Sequence, residues 1–340
     1  MAKSHILIIS PGLAKANNGN WQTAARWSRF LREKYQVTCV APVAGLADTF
    51  RPDAIIALHA RRSAIALAEL SQRFPMMPSI LLLTGTDLYR DINTDDDAAH
   101  SLALATRLVV LQAAGIAELP DAYRSKTCVI HQSARSLTPD PARRGFHVIM
   151  IGHLRAEKDP ATFLHACALL QQEPITFTHI GGALEPGLAA LAERTARSTA
   201  GHYRWIGNQP HAATRQRLKR SHLMVISSIM EGGANVIIEA ITSGVAVIAS
   251  DISGNIGMLG DDYLGYFPVG DAAALAALIG RTARDPAFLA RLQQQCDARR
   301  ALFTPERERA AVLQLVDNCL QISGSAPRRP PPNHLSQGSP

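Results

Sequence analysis

Two glutamates eight residues apart, Glu231 and Glu239, bracket the stretch EGGANVIIE. Gly232, Gly233 and Ala234 carry almost no side chain, so their backbone N–H groups lie bare where a helix begins, at Asn235. A phosphate can rest on such a helix N-terminus. Glu239, one turn into the helix, suits the hydroxyls of a ribose diol, and Glu231 suits other sugar-type hydroxyls. Two solvated glutamates would be the bland alternative. Glu239 sits in the apolar run VIIEAI, however, where an unpartnered buried carboxylate is costly. Upstream, GHLRAEKDP places His153, Arg155 and Lys158 in a strand-to-helix loop. Cations there oppose the helix dipole but suit a diphosphate.

Three further segments carry polar groups at strand ends. In PGLAKANNGNWQTAARW, Gly19 and Asn20 can present N–H groups to an anion, with Lys15 and Arg26 adding charge. The pattern is neither G-x-G-x-x-G nor a Walker loop, which disfavours ordinary NAD binding and P-loop chemistry. It also reads as an Asn-Gly turn with an Asn cap. LHARRS supplies His59, Arg61 and Arg62, and an Arg pair opening a helix calls for something anionic nearby. TGTDLYRDI places Thr86 and Asp87 on the same rim, where Asp87 also suits a helix cap.

These loops need a scaffold that brings strand ends together. Short apolar runs at 5–10, 37–42, 53–59, 79–85, 107–112 and 127–132 alternate with helical spacing at 21–34, 63–73 and 95–105. The rhythm breaks over RSLTPDPARRG (135–145) and restarts at 146. FHVIMIG, ITFTHIGG, HYRWIG, HLMVISS, VAVIAS and LGYFPV then alternate with helices at 159–171, 186–198, 211–220, 235–243 and 271–284. Such alternation predicts α/β architecture: two Rossmann-like, doubly wound domains, at 1–135 and 146–300, facing a cleft. Helices at 286–302 and 305–321 close the chain, the last as a separate element over 301–322. The Pro-, Ser- and Gly-rich tail at 323–340 is expected to be disordered.

Composition bounds the remaining choices. The 340 residues carry a formal charge of +7, which favours an anionic partner such as a phosphorylated small molecule. No Lys/Arg run or basic-aromatic platform speaks for nucleic acid. No apolar stretch reaches 18 residues, which excludes a spanning helix. Five scattered cysteines without a C-x-x-C pair speak against zinc and fit a reducing cytoplasm.

With these residues in view, the chain resembles the retaining nucleotide-sugar glycosyltransferases of GT-B fold from residue 5 to about 320. EGGANVIIEA with SGVAVIAS resembles their E-x7-E element, GHLRAEKD their Lys loop, NNGN their glycine loop, and LGYFPVGDAAALAALI their segment after the donor site. The resemblance implies that Glu239 holds the donor ribose and Glu231 the sugar hydroxyls. Lys158 would neutralise the diphosphate, Gly19 would admit it, and His59 would stand by the transferred sugar. Neither metal nor other cofactor is implied.

The chain departs from the pattern in three places. His153 replaces a usual Arg, so that either a charged His153 or Arg155 serves the phosphate. Gly232-Gly233-Ala234 replaces Gly-Phe-Gly, and Gln132-Ser133 replaces Asn-Gly. Together ANNGNWQTAARW, IALHARRS, LTGTDLYRDI, VVLQ and GHLRAEKDP resemble the selenosugar synthase branch of selenoneine biosynthesis. That branch implies a UDP-sugar donor, UDP-N-acetylglucosamine, and selenophosphate as acceptor. Lys15, Arg26, Arg61, Arg62, Thr86 and Asp87 would lie on the acceptor side. A transferase for sugar or lipid acceptors, and a non-catalytic nucleotide-sugar-binding protein, are the alternatives.

Overall fold

The computed structural model describes residues 3–13, 19–42, 50–141 and 144–324. Lys15 and residues 325–340 of the expected disordered tail lie outside these. The first sheet contains β1 (His5–Ile9), β2 (Gln36–Val40), β3 (Ala54–Leu58), β4 (Ser79–Leu82), β5 (Arg107–Val110) and β6 (Thr127–Val129). Its order is β2-β1-β3-β4-β5-β6, and all its pairs are parallel. The intervening helices are α1 (Gly19–Leu31), α2 (Ala64–Arg73), α3 (Ile92–Thr94), α4 (Asp96–Leu104) and α5 (Asp121–Arg124).

The second sheet contains β7 (Phe146–Ile151), β8 (Ile175–Ile180), β9 (Tyr203–Trp205), β10 (Leu223–Ile226), β11 (Ala246–Ser250) and β12 (Tyr266–Phe267). Its order is β12-β11-β10-β7-β8-β9, again parallel throughout. Its helices are α6 (Pro160–Leu169), α7 (Pro186–Ser198), α8 (His211–Leu218), α9 (Asn235–Thr242), α10 (Ser253–Leu259), α11 (Ala272–Arg284) and α12 (Pro286–Arg299). The chain then returns as α13 (Pro305–Gly324).

The expected α/β architecture is therefore present. Strands such as AIIAL of β3 and AVIAS of β11 are buried at every position, because helices cover both faces of a parallel sheet. Helix starts follow capping chemistry. Asp95, Asp159, Asp271 and Asp285 accept from the backbone N–H three residues on, and Pro160, Pro186 and Pro286 open their helices.

The last helix does not extend the second domain. Val312, Val316 and Cys319 of α13 join the core of the first sheet, with Ile6, Trp27 and Leu31. Glu308 anchors this return. It is 1% exposed, and it accepts from Arg26 Nε at 2.7 Å, from Trp27 Nε1 at 2.8 Å and from Ser133 Oγ. The chain thus crosses between the sheets twice, once between β6 and β7 and again beyond α12.

The two domains touch through loops at the carboxyl ends of their strands. Gly232 packs against the Thr84–Gly85 backbone, and Gly233 packs against Leu111. Ser253 Oγ donates to Glu118 at 3.0 Å, and Arg90 lies 3.8 Å from Glu157. Sequence spacing did not anticipate α10 or the π-helical turn at Asp87–Asp91 that runs into α3. Both are short irregular pieces without helical periodicity of their own.

Candidate functional site

Lys158 and Glu231 meet although 73 residues separate them. Lys158 ends a short 3-10 turn after β7, and its Nζ forms an ion pair with Glu231 Oε1. Ser228 Oγ donates to the same oxygen at 2.7 Å. Glu231 is buried, so the ammonium and the hydroxyl offset the cost of desolvating it.

Glu239 faces a different partner. Its Oε1 accepts from His211 Nε2 of α8 at 2.6 Å. The Glu239 carboxylate raises the His211 pKa, chiefly through that hydrogen bond, against a smaller lowering by burial. Both residues line a cleft of about 960 Å³ with Asn235, Arg215 and Arg26. Gly19 comes to the same place: a Cβ on it would stand 3.7 Å from Asn235 Nδ2. The start of α1 therefore abuts the start of α9; Asn20 follows, half-buried, in α1.

Arg26 departs from its expected place on the acceptor side. It shares the cleft of Glu239, its charge is felt by His211, and its Nε is held by Glu308. The reason is helical geometry. Gln22, Arg26 and Arg29 form one stripe of α1, and that stripe faces α8 and α9 across the cleft.

On the first-domain side, His59 follows β3 with a left-handed φ of 72°, a conformation sparsely populated by residues other than glycine. Its Nδ1 accepts from the Arg62 N–H at 3.4 Å, which leaves Nε2–H to donate to Thr86 Oγ1 at 3.1 Å. Burial lowers its pKa; Asp87 opposes this and Arg62 reinforces it. Thr86 is thus where the sequence reading put it, at the rim beside His59.

Asp87 corrects another expectation. It is fully buried, and its carboxylate accepts from the N–H groups of Ala60, Thr84 and Gly85. It organises the two rim loops rather than facing an acceptor. Arg61 is exposed and pairs with Asp95 at 2.8 Å, whereas Arg62 is the arginine whose charge acts more strongly on His59.

His153 accepts the Gly182 N–H on Nδ1 at 2.9 Å. Burial lowers its pKa, and Arg155 and Lys158 lower it further. Gly232 and Gly233 also acquire a reason beyond open N–H groups. A Cβ on Gly232 would lie 2.6 Å from Gly85 N, and one on Gly233 would lie 2.5 Å from Leu111 Cβ. Ala234 is buried at the N-cap of α9.

Three residues of this region were not visible to sequence reasoning. His211 opens α8 without any motif. Tyr89 and Arg90 lie in TGTDLYRDI, but only the π-helical turn aims them. The Tyr89 hydroxyl accepts from Gln112 Nε2 at 2.9 Å, and its pKa is raised mainly by burial, with a contribution from Glu231. Such turns are common at functional sites, which was the available signal. Among the described residues, no three His, Cys, Asp or Glu side chains converge on a metal-sized position. No helix among them is long and apolar enough to cross a membrane.

Comparison with known proteins gives this geometry a context. Residues 140–299 match the family model "Glycosyl transferases group 1". The sucrose-phosphate synthase of Thermosynechococcus elongatus is similar in structure, with a TM-score of 0.77, 18% identity, and 94% of this chain and 100% of that chain covered. HepE of Anabaena, solved with UDP and glucose, gives 0.76 and 15%, covering 93% and 100%. The pneumococcal O-GlcNAc transferase GtfA, solved with UDP and GlcNAc, gives 0.64 and 18%, covering 79% and 57%. This chain therefore has the GT-B fold, and residues 140–299 of its C-terminal half are similar to the glycosyl transferases group 1 model.

Proposed function

We propose that this protein is a UDP-sugar-dependent glycosyltransferase that joins the sugar of UDP-N-acetylglucosamine to the selenium of selenophosphate. The observation that carries the donor half is the meeting of Lys158 with Glu231 beside the start of α9, with Glu239 one turn further on. The UDP complexes of HepE and GtfA support the same reading. Glu239 binds the ribose hydroxyls, and Glu231 binds hydroxyls of the sugar. Lys158, Arg155 and the N-terminus of α9 carry the charge of the departing diphosphate, so no metal is required.

The acceptor half rests on the residue pattern of the first domain, with His59 and Arg62 adjoining at its rim. Arg62, with Arg61, holds the phosphate oxygens of selenophosphate. Selenium attacks C1 of the sugar, the C1–O bond to UDP breaks with its electrons going to the diphosphate, and a C1–Se bond forms. Water then cleaves the P–Se bond and releases phosphate. Catalysis consists of positioning and leaving-group stabilisation, because the selenium is already nucleophilic.

The test is mass spectrometry of products from UDP-N-acetylglucosamine offered selenophosphate, thiophosphate or free sugars, with and without chelator. A selenium-containing hexosamine formed in chelator is expected. Glycosylated sugar in its place would replace the acceptor assignment with a conventional one. UDP binding without any transfer would favour a binding protein.

A further inference from the structure

We infer that His211 is a positioning residue for the donor nucleotide: it holds Glu239 in the rotamer that presents its second oxygen to the ribose, so that nucleotide affinity follows the charge of His211. This rests on the reading of Glu239 as the ribose ligand. The 2.6 Å bond from Nε2 engages Oε1 of a residue that lines the cleft, and Oε2 is the oxygen that this bond does not use. A carboxylate on a helix has several rotamers, and a buried one without a partner would be costly. Glu239 is 8% exposed, so its environment cannot be left to water.

His211 is well placed to be a variable partner. It stands at the first position of α8 with its side chain about half exposed, so its proton exchanges freely with solvent. The groups acting on it come from each neighbouring element. Glu239 of α9 favours its charged form, while Arg215 of α8 and Arg26 of α1 oppose it. Further off in the same cleft stand Arg29 of α1, Glu33 of the turn after it, Arg135 of the crossover, and Glu306 and Arg309 of α13. Arg309 is itself paired with Glu33 at 2.7 Å.

Arg215 does not substitute for the histidine, because its Nη2 is committed to the Arg135 carbonyl and to Ser243. When a ribose covers Glu239, water is displaced and the attraction between the carboxylate and an imidazolium strengthens. Nucleotide binding then favours the proton on His211, and by linkage lower pH favours binding.

Calorimetric titration of UDP into wild type, His211→Gln and Glu239→Ala at pH 6 and pH 8 tests this. His211→Gln keeps a neutral donor but loses the charge. We expect it to bind UDP about tenfold more weakly than wild type at pH 6, the size of one charge-assisted hydrogen bond, and nearly as well as wild type at pH 8. Taking the ratio of variant to wild type at each pH cancels the titration of UDP itself. A ratio that is the same at both pH values overturns the inference while leaving the donor reading intact, provided that Glu239→Ala still weakens UDP. If Glu239→Ala binds UDP like wild type, the ribose assignment falls, and the role of His211 falls with it.

Discussion

Replacing Gly232 with alanine probes whether the closed contact between the domains is the working arrangement. The added Cβ would stand 2.6 Å from Gly85 N, from Thr84 C and from Thr84 O. Carbon atoms pack comfortably at about 3.5–4.0 Å, so roughly 1 Å of separation must come from somewhere. The atoms it meets are backbone, and they are pinned: Thr84 N–H and Gly85 N–H both donate to buried Asp87. On the other side, Glu231 is tied to Lys158 and Ser228. The domains must therefore part.

Overpacking of this kind costs about 1–3 kcal/mol. That lowers the ratio of closed to open forms by about 5- to 150-fold. Neither domain core is touched, so the melting temperature should move little, while turnover falls by a similar factor. Small-angle scattering with UDP bound should report a larger radius of gyration. Gly187→Ala is the control, because nothing lies within 4 Å of a Cβ there. Wild-type turnover together with a wild-type scattering curve for Gly232→Ala would refute the reasoning.

Two further outcomes are expected. Glu308→Ala should destabilise the protein by about 3–5 kcal/mol in denaturant titration, because it leaves the part-buried Arg26 guanidinium without its carboxylate and Trp27 without an acceptor. A loss below about 1 kcal/mol would show that α13 is held by its apolar face alone. His179 gives stability a pH dependence. Burial lowers its pKa to about 4 from 6.5, so the folded protein keeps it neutral where the unfolded chain binds a proton. Stability should then fall as pH drops from about 6.5 towards 4, by up to about 3 kcal/mol, and not depend on this group above 7. His179→Gln should remove that part of the slope between pH 7 and 5; an unaltered slope would contradict the assignment.

Much of the architecture was legible because parallel strands buried on both faces must be short apolar runs, and their spacing by amphipathic helices is a local property of the chain. The E-x7-E element and the Lys loop were legible for the same reason: each is a contiguous stretch whose chemistry depends on local spacing. The departures arise where a residue's partner is remote in sequence. Asp87 looked like a ligand-facing acid until the fold delivered three backbone N–H groups to it. Arg26 changed sides because the rotation of α1, set by burial of Ala24, Trp27 and Leu31, turns its stripe toward α8 and α9.

The glycines show the division most plainly. The amino-acid order alone determined that residues 232 and 233 lack side chains and precede a helix. Only the packing of one domain on the other decided that they must lack them, since Thr84, Gly85 and Leu111 fill the space a Cβ would need. Likewise, composition placed a glutamate at 239, but only the proximity of α8 to α9 gave it His211 as a partner. Periodicity and capping act over a few residues and can be read along the chain; side-chain partners across a cleft are set by rigid-body packing, which no local pattern encodes.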